Sequence, residues 1–267
     1  YENKYYKYED PEYSITQTPL NEQDLKTMSE AVEVLRQFKG FSYFTEMSDI
    51  INRLEDHVAS ARMKTTPVID FEKNESLKGL DYLDTIYHAI VNEHPIQLKY
   101  RSFKARSANN FIFYPYLLKE YRNRWFVYGV RGNGRILQNL ALDRIQSLEV
   151  LPQEHYIKNT FFDPNTFFDD LVGVTKNSGS VAEKVGFKVA AAEAPYIITK
   201  PIHRSQQVVE RLADGSVILE IEVVINHELE QVFFGYAEGI HVLYPKTLVE
   251  LMGRKLKKAA EQYTHSK

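Results

Sequence analysis

Apolar positions along the chain change their spacing twice, and these changes divide the chain into segments. In the first segment they recur every three or four residues, the spacing of amphipathic helices. Asn21 and Asp24 precede one such run, Gly40 follows it, and a second run extends over residues 46–61. We predict an N-terminal linker and helical segment over residues 1–77.

Short aromatic and branched runs replace the helical spacing over residues 78–152. One helix, DYLDTIYHAIVNEHP, is closed by Pro95, and the runs IQLKYRSF, FIFYPYLLKEY, RWFVYGVR and ILQNLALDRIQSLEVL follow it. Gly132-Asn133-Gly134 separates the last two runs and predicts a hairpin, because Asn-Gly adopts positive φ at low steric cost. A helix followed by four or five short antiparallel strands predicts a small, strongly curved β-barrel.

The remaining residues predict a connector and a second domain. Residues 153–182 are polar and aromatic, as in a connector. Within residues 183–267 the run QQVVERLADGSVILEIEVV is the clearest hairpin, with Asp214-Gly215 as its turn, and Asn226 caps the next helix. The order is strand, helix, strand, strand, helix, strand and a closing helix, which is typical of a ferredoxin-like α+β domain. The predicted fold class of the chain is α+β.

Composition indicates the broad class of protein, but it does not point to an activity. The 43% hydrophobic and 26% charged content is that of a globular protein, and no apolar run is long enough to span a bilayer. With no cysteine and no signal peptide, we expect a cytoplasmic protein. The formal net charge of −3 argues against strong DNA binding by the whole chain, but it leaves room for a local basic groove. Because the chain begins with Tyr1 rather than Met, we expect a fragment of a longer protein.

Positive and aromatic side chains alternate at the edge of the predicted barrel. Strand alternation places Arg124 and Tyr128 on one face of their strand and Trp125 on the other. Guanidinium groups beside aromatic rings suit a nucleotide, since the former bind phosphate and the rings stack on bases. Spacing alone leaves open the alternative that Arg144 only pairs with Asp143 and that Trp125 fills the barrel.

The motifs KYRSF, FYPYLLKEYRNRWFVYGV and LALDRI, in this order, resemble the WYL domain. The motifs VVERLADGSVILEIEVV and ELEQVFFGYAEGIHVLYP, with the final helix, resemble the extension that follows WYL domains in bacterial regulators. The resemblance implies an Sm-like or SH3-like barrel that senses nucleotides or nucleic acids for a transcriptional regulator. It also implies a DNA-binding winged helix upstream, absent from this chain. The positions that match the family pattern are Tyr100, Arg101, Arg124, Trp125, Asp143 and Arg144.

Two departures from the family pattern bear on the ligand. The naming Trp-Tyr-Leu run is Trp125-Phe126-Val127 here, and Gln138 and Ala141 stand where many relatives carry arginines. Each missing arginine removes a bidentate phosphate contact. Tyr128 and Arg135 are the candidates to compensate, and both belong to the predicted ligand-binding set.

Other chemistry has less support in the sequence. The eight histidines show no metal-ligand spacing, and no phosphate-binding loop or nucleophile motif is present, so we predict no metal, no cofactor and no enzymatic activity. Asp163, Asp169 and Asp170 lie beside phenylalanines and keep open one alternative, a nucleotide-processing enzyme. The basic run at residues 254–258 is interpreted as a solvated helix face, with Leu251 and Leu256 buried.

The leading hypothesis is a ligand-sensing fragment of a bacterial transcriptional regulator. Its expected partners are a nucleotide or single-stranded nucleic acid on the barrel, DNA only through the missing N-terminal domain, and a second copy in a homodimer, with no membrane. A hypothesis of another class, an oligomerisation scaffold in which the arginines make subunit contacts, also remains open.

Overall fold

The computed structural model describes residues 78–264 except 133 and 135, together with Thr27. The helices predicted within residues 1–77 otherwise lie outside the described residues. The chain divides into two compact units, residues 1–84 and 85–267, and the second unit contains both sheets. Within the described ranges, no helix combines the length and the apolar composition that a membrane span requires.

The described fold is α+β, with two antiparallel sheets. Its elements are α1 (Leu83–Val91), β1 (Ile96–Tyr100), β2 (Asn109–Tyr121), β3 (Arg124–Arg131), β4 (Leu137–Ala141), β5 (Ile145–Val150), β6 (Glu183–Val189), α2 (Ala194–Thr199), β7 (Gln207–Arg211), β8 (Val217–Val223), α3 (His227–Gly235), β9 (Ile240–Tyr244) and α4 (Lys246–Thr264), with single 3₁₀ turns at Leu80–Tyr82, Leu142–Arg144 and Ala237–Gly239. The strand order is β4-β3-β2-β1-β5 in the first sheet and β7-β8-β6-β9 in the second.

The predicted small, strongly curved β-barrel is an open five-stranded antiparallel sheet in the structure, and its Sm-like or SH3-like form stays a prediction. Its edge strands β4 and β5 do not pair with each other in the described sheet. Only the turn Leu142–Arg144 joins them, and so short a link forces the two edges toward each other. Register shifts at Lys99/Tyr100 and at Pro115/Leu117 interrupt the pairing, and bulges of this kind increase the bend and twist of a sheet. Both features favour a bent sheet, and its edges β4 and β5 remain unpaired with each other in the described residues.

The second sheet buries one face, as its alternating sequence predicts. Val217, Leu219, Ile221 and Val223 of β8 are all buried, whereas Glu222 between them is exposed. Helices α2, α3 and α4 contribute side chains to the same core, in which the Phe187 and Phe233 ring centroids lie 5.1 Å apart. Asn226 caps α3, as predicted, by accepting a hydrogen bond from the Leu229 backbone N–H at 2.9 Å.

The closing helix α4 does not bury the predicted residues. Leu248 and Met252 are its buried residues, Leu251 is half-buried, and Leu256 is 41% exposed. Residues four apart share a helix face, so the stripe of Leu248 and Met252 does continue to Leu256. At Leu256, however, the helix extends past most of the core residues.

The connector between the sheets packs its aromatic residues on the first sheet. Phe162, Phe167 and Phe168 surround the Tyr128 ring on β3, with ring centroids 5.3 to 6.2 Å from it. Farther along, the Phe161 ring stacks on that of Tyr116 at 6.1 Å. The face of β3 that strand alternation left open to solvent is thus covered by the connector.

Tyr116 is a buried residue whose hydroxyl has no hydrogen-bond partner in the described part of the chain. Burial raises the pKa of Tyr116 to about 12, whereas an unfolded tyrosine ionises near pH 10. Between these two values the folded chain keeps a proton that the unfolded chain loses, so the free energy of unfolding falls as pH rises through this window. We expect Tyr116→Phe to be neutral or stabilising by up to about 1 kcal/mol at pH 7, because it removes an unpaired buried hydroxyl.

The free energy of unfolding of Tyr116→Phe relative to that of the parent should rise by a further amount of about 1 kcal/mol near pH 11. The reason is that phenylalanine cannot ionise in the unfolded chain. Urea denaturation at neutral and alkaline pH measures this rise. Tyr196→Phe is the control, since Tyr196 is 69% exposed. A difference between Tyr116→Phe and the parent that stays the same at both pH values would contradict the expectation.

Candidate functional site

The turn Leu142–Arg144 gathers charged side chains at the junction between β4 and β5. Asp143 is at the centre. Its Oδ2 lies 3.2 Å from Arg124 Nε, and its Oδ1 lies 3.7 Å from Arg144 Nε. The Asp143 side chain is 14% exposed, against 49% for Arg124. A mostly buried carboxylate therefore holds two guanidinium groups that reach toward solvent.

Arg124 reaches this cluster because of a tight hairpin between β2 and β3. Arg122 and Asn123 have φ values of 50° and 60°, as a two-residue turn of type I′ requires. The side chain of Glu120 accepts a hydrogen bond from the Asn123 backbone N–H. The turn starts β3 at Arg124, in register with Tyr121 at the end of β2.

Tyr100 supports Arg144 from the neighbouring strand β1. Tyr100 is 9% exposed, and burial raises the pKa of its hydroxyl, while the nearby Arg144 and a backbone hydrogen bond with Ala141 act in the opposite direction. The Arg101 backbone N–H donates to the Arg144 carbonyl at 3.1 Å. These contacts tie the end of β1 to the Leu142–Arg144 turn.

An exposed aromatic ring completes the cluster. Arg144 Cζ lies 4.6 Å from the centroid of the Phe103 ring, a cation–π distance. Phe103 is 73% exposed, which is unusual for phenylalanine. With Arg144 at this ring and most of its surface open to solvent, Phe103 can stack on a further planar group.

Two buried atoms of the cluster have no hydrogen-bond partner among the described residues. They are Asp143 Oδ1 and Arg144 Nε, which face each other at 3.7 Å, beyond hydrogen-bonding distance. Buried polar atoms are nearly always hydrogen-bonded, and exceptions are concentrated where water, an ion or a ligand binds. The two atoms face each other as an ion pair closed off from solvent, so the part of the cluster that is open to a ligand is the exposed Phe103 ring beside Arg144.

The local charge is strongly positive, although that of the whole chain is not. Residues 96–150 contain ten lysines and arginines and three acidic residues, a net charge of +7, against −3 for the chain. The loop after β1 adds Arg101, Lys104 and Arg106, all exposed, around Phe103. A surface of this sign attracts anions, and a phosphate backbone is the commonest polyanion.

The structure brings together five of the eight predicted residues: Tyr100, Arg101, Arg124, Asp143 and Arg144. Trp125 is half-buried, on the face of β3 opposite Arg124. Tyr128 is 2% exposed, and its hydroxyl donates to the Val174 carbonyl, so it is not at the surface where the cluster lies. Arg135 lies outside the described residues.

Sequence reasoning missed the residues of the β1–β2 loop and a second cation–π pair. Arg131 Cζ lies 4.1 Å from the centroid of the Phe111 ring, which is 6.5 Å from that of Tyr100. The loop sequence RSFKARS carries a signal that could have found Phe103: a lone aromatic residue among cations, with no apolar periodicity to bury it. Counting charge over residues 96–150 alone would also have revealed the basic surface.

The three aspartates that the sequence singled out in the connector are engaged in ion pairs or hydrogen bonds. Asp169 Oδ2 lies 2.7 Å from Arg204 Nη2, and both oxygens of Asp170 accept from Lys176 Nζ at 2.8 Å. Asp163 accepts from Asn165 and Thr166 of its own turn. No group of three or more His, Asp or Glu side chains in the described part of the chain could hold a metal ion.

Each of the two sheets lies within a stretch of the chain that matches a known domain family. Residues 81–150 match the model of the WYL domain, and residues 182–260 match the model of the WCX domain. The chain carries a WYL domain followed by a WCX domain. The candidate cluster lies entirely within the WYL domain.

No curated protein matches the chain. Among solved structures, it is similar to proteasome accessory factor B/C (PafBC) of Arthrobacter aurescens, at 16% identity and a TM-score of 0.33, over 86% of this chain and 34% of that one. It is also similar to a CRISPR Cas-related protein, at 11% identity and a TM-score of 0.42, over 70% of this chain and 52% of that one. The chain thus spans about a third and about a half of the two proteins.

Proposed function

We propose that this chain is the ligand-sensing part of a bacterial transcriptional regulator and that its WYL domain binds a nucleotide or a short single-stranded nucleic acid. The observation that carries the proposal is the Arg144–Phe103 pair, in which a guanidinium lies against a ring that is 73% exposed. The pair presents a positive charge and an open aromatic surface side by side. A nucleotide offers the complementary groups, a phosphate and a base.

The basic loop residues supply the phosphate contacts in this proposal. Arg101, Lys104 and Arg106 are exposed around Phe103, and Arg124 is held by Asp143. Arginine binds phosphate through two parallel hydrogen bonds, and preorganisation by a carboxylate lowers the entropy lost on binding. The base stacks on Phe103, a contact that any of the four bases can make. We therefore expect little sequence preference.

The regulatory half of the proposal is supported by the domain pair. The chain matches a WYL domain followed by a WCX domain. Its motifs resemble those of bacterial regulators, and this resemblance implies that the WYL domain senses a ligand. In this role the chain recognises a ligand rather than converting it. The ion pairs at Asp169 and Asp170 fit that role, because a catalytic carboxylate pair would need to remain available to the substrate.

A salt series tests the ligand half of the proposal. We expect a labelled short oligothymidine to bind the chain with an affinity that falls steeply between about 50 and about 200 mM salt, as counterion release requires. Phe103→Ala should weaken binding about tenfold or more through loss of base stacking, and Phe103→Tyr should retain it. Fluorescence anisotropy measures all three chains, with thymidine monophosphate and inorganic phosphate as competitors.

The competitors separate the ligand classes. Competition by thymidine monophosphate but not by phosphate would indicate a nucleotide site, and competition by neither would indicate several phosphate contacts along a strand. If the folded parent chain binds none of these anions, or if Phe103→Ala binds as well as the parent, the proposed site is wrong.

A further inference from the structure

Residues 171–176, which we call the clasp, run between the two domains of the second unit. They have no regular secondary structure, yet Leu171, Val172 and Val174 are at most 7% exposed. Buried backbone carbonyls in an irregular segment need hydrogen-bond partners, because an unpaired one is costly. The carbonyls of the clasp accept hydrogen bonds from the WYL domain on one side and from the WCX domain on the other.

On the WYL side, a single carbonyl is held by two strands. The Val174 carbonyl accepts hydrogen bonds from the Tyr128 hydroxyl and from Asn139 Nδ2, the latter at 2.8 Å. Tyr128 and Asn139 stand directly opposite each other on β3 and β4. The clasp is therefore fixed to the pair of strands that leads into the candidate site.

On the WCX side, the clasp is held by the residues that begin helix α3. Asn226 Nδ2 donates to the Val172 carbonyl at 2.9 Å and to the Thr175 carbonyl at 3.0 Å, while Asn226 Oδ1 caps the helix. The Thr175 hydroxyl donates to Glu228 Oε1 at 2.7 Å. Asn226, the N-cap of α3, thus also holds the clasp through two of its carbonyls.

The clasp packs closely against the first turn of α3. Gly173 has a φ of +89°, and a Cβ at this position would lie 2.5 Å from Glu228 Cγ. Only glycine fits the left-handed backbone and the close approach of Glu228. A movement of the clasp therefore displaces the first turn of α3.

Strand β4 connects the clasp to the candidate site. Asn139 precedes Ala141, the last residue of β4, by two residues. The turn that carries Asp143 and Arg144 follows at once. A shift of Arg144 is thus passed along a short stretch of backbone to Asn139.

We propose that the clasp is a coupling element: a change at the Tyr100–Arg144 cluster alters the stability of α3 in the WCX domain through the Val174 carbonyl. The physical basis is a path along the backbone from Arg144 to Asn139, through the hydrogen bond of Asn139 to the Val174 carbonyl, and through the Val172 and Thr175 carbonyls to Asn226. The inference concerns the chain itself and does not depend on which ligand the cluster binds.

Hydrogen exchange of α3 amides, followed by mass spectrometry without any ligand, tests the coupling. Asn139→Ala and Tyr128→Phe each remove one donor to Val174, so each should accelerate exchange in α3 about fivefold, the effect of one hydrogen bond. Strands β6 and β8 of the same domain should change by less than about twofold. Asn110→Ala is the control, because Asn110 is an exposed asparagine of the WYL sheet that does not belong to the clasp.

A double-mutant cycle tests whether the signal starts at the cluster. Arg144→Ala should accelerate α3 exchange in the parent chain and add little to it in the Asn139→Ala background, because both act through one element. Acceleration confined to residues 171–176, an equal acceleration of β6, β8 and α3, or additive effects of the two substitutions would each overturn the proposal. If Asn139→Ala folds poorly, Tyr128→Phe, which removes a single oxygen, replaces it in the cycle.

Discussion

Arg144→Ala is expected to reduce the affinity of the chain for a short oligothymidine by about a hundredfold or more. The substitution removes the guanidinium at Phe103 and at Asp143 together, and two charge-assisted hydrogen bonds to a phosphate amount to about 3 kcal/mol. Asp143 keeps its pair with Arg124, so the cluster loses the contact without losing its centre. Titration by fluorescence anisotropy at fixed salt measures the change.

Arg144→Lys separates the charge from the shape of the guanidinium. Lysine keeps the positive charge but neither the planar fork nor the stacking surface, so we expect an intermediate loss of about tenfold. Arg122→Ala is the matched control: Arg122 is an exposed arginine at the tip of the β2–β3 hairpin, outside the cluster, and its loss should change affinity by less than about threefold. Equal losses in Arg144→Ala and Arg122→Ala would mean that binding follows overall charge and not this cluster.

Gly129→Ala is expected to lower the free energy of unfolding by about 3 kcal/mol or more. A Cβ at Gly129 would lie 2.1 Å from the Tyr114 backbone oxygen and 2.6 Å from a ring carbon of Phe113. Backbone cannot rotate away as a flexible side chain can, so β2 and β3 must separate where the sheet is most buried. Urea denaturation followed by circular dichroism measures the loss.

Gly253→Ala is the control for this prediction. Gly253 lies within helix α4, and a Cβ there would meet nothing within 4 Å. Alanine is favoured over glycine in a helix by about 0.5–1 kcal/mol, so this variant should be as stable as the parent or slightly more stable. A Gly129→Ala chain as stable as the Gly253→Ala chain would contradict the close approach of β2 to β3.

The elements of the described chain could be predicted because their signals are local. Alternation in VILEIEV and the cap at Asn226 depend on neighbouring residues, and the matching strand and helix are present. The helix that Pro95 was predicted to close is also present, but it ends earlier, at Val91. The candidate site was only partly predictable. Strand alternation assigned Arg124 and Tyr128 to one face, yet Tyr128 is buried beneath the connector. Alternation determines which face a side chain takes, but not what covers that face.

Phe103 shows the converse failure. The loop sequence indicates only an exposed aromatic residue among cations, and the partner that gives Phe103 its importance, Arg144, lies forty-one residues later in the chain. The same holds for the Arg124–Asp143 pair and for the Asp169–Arg204 pair, since each contact joins side chains from different segments.

The sequence by itself determined the α+β fold class, the order of the described elements, the WYL-like motifs and the concentration of positive charge in residues 96–150. All of these depend on residue type and short-range spacing. Only the tertiary structure decided which arginines share Asp143, that Tyr128 serves the clasp and not the surface, and that the edge strands β4 and β5 of the described sheet do not pair with each other. Those outcomes depend on how distant segments compete for the same faces and hydrogen-bonding groups, and spacing along the chain does not encode that competition.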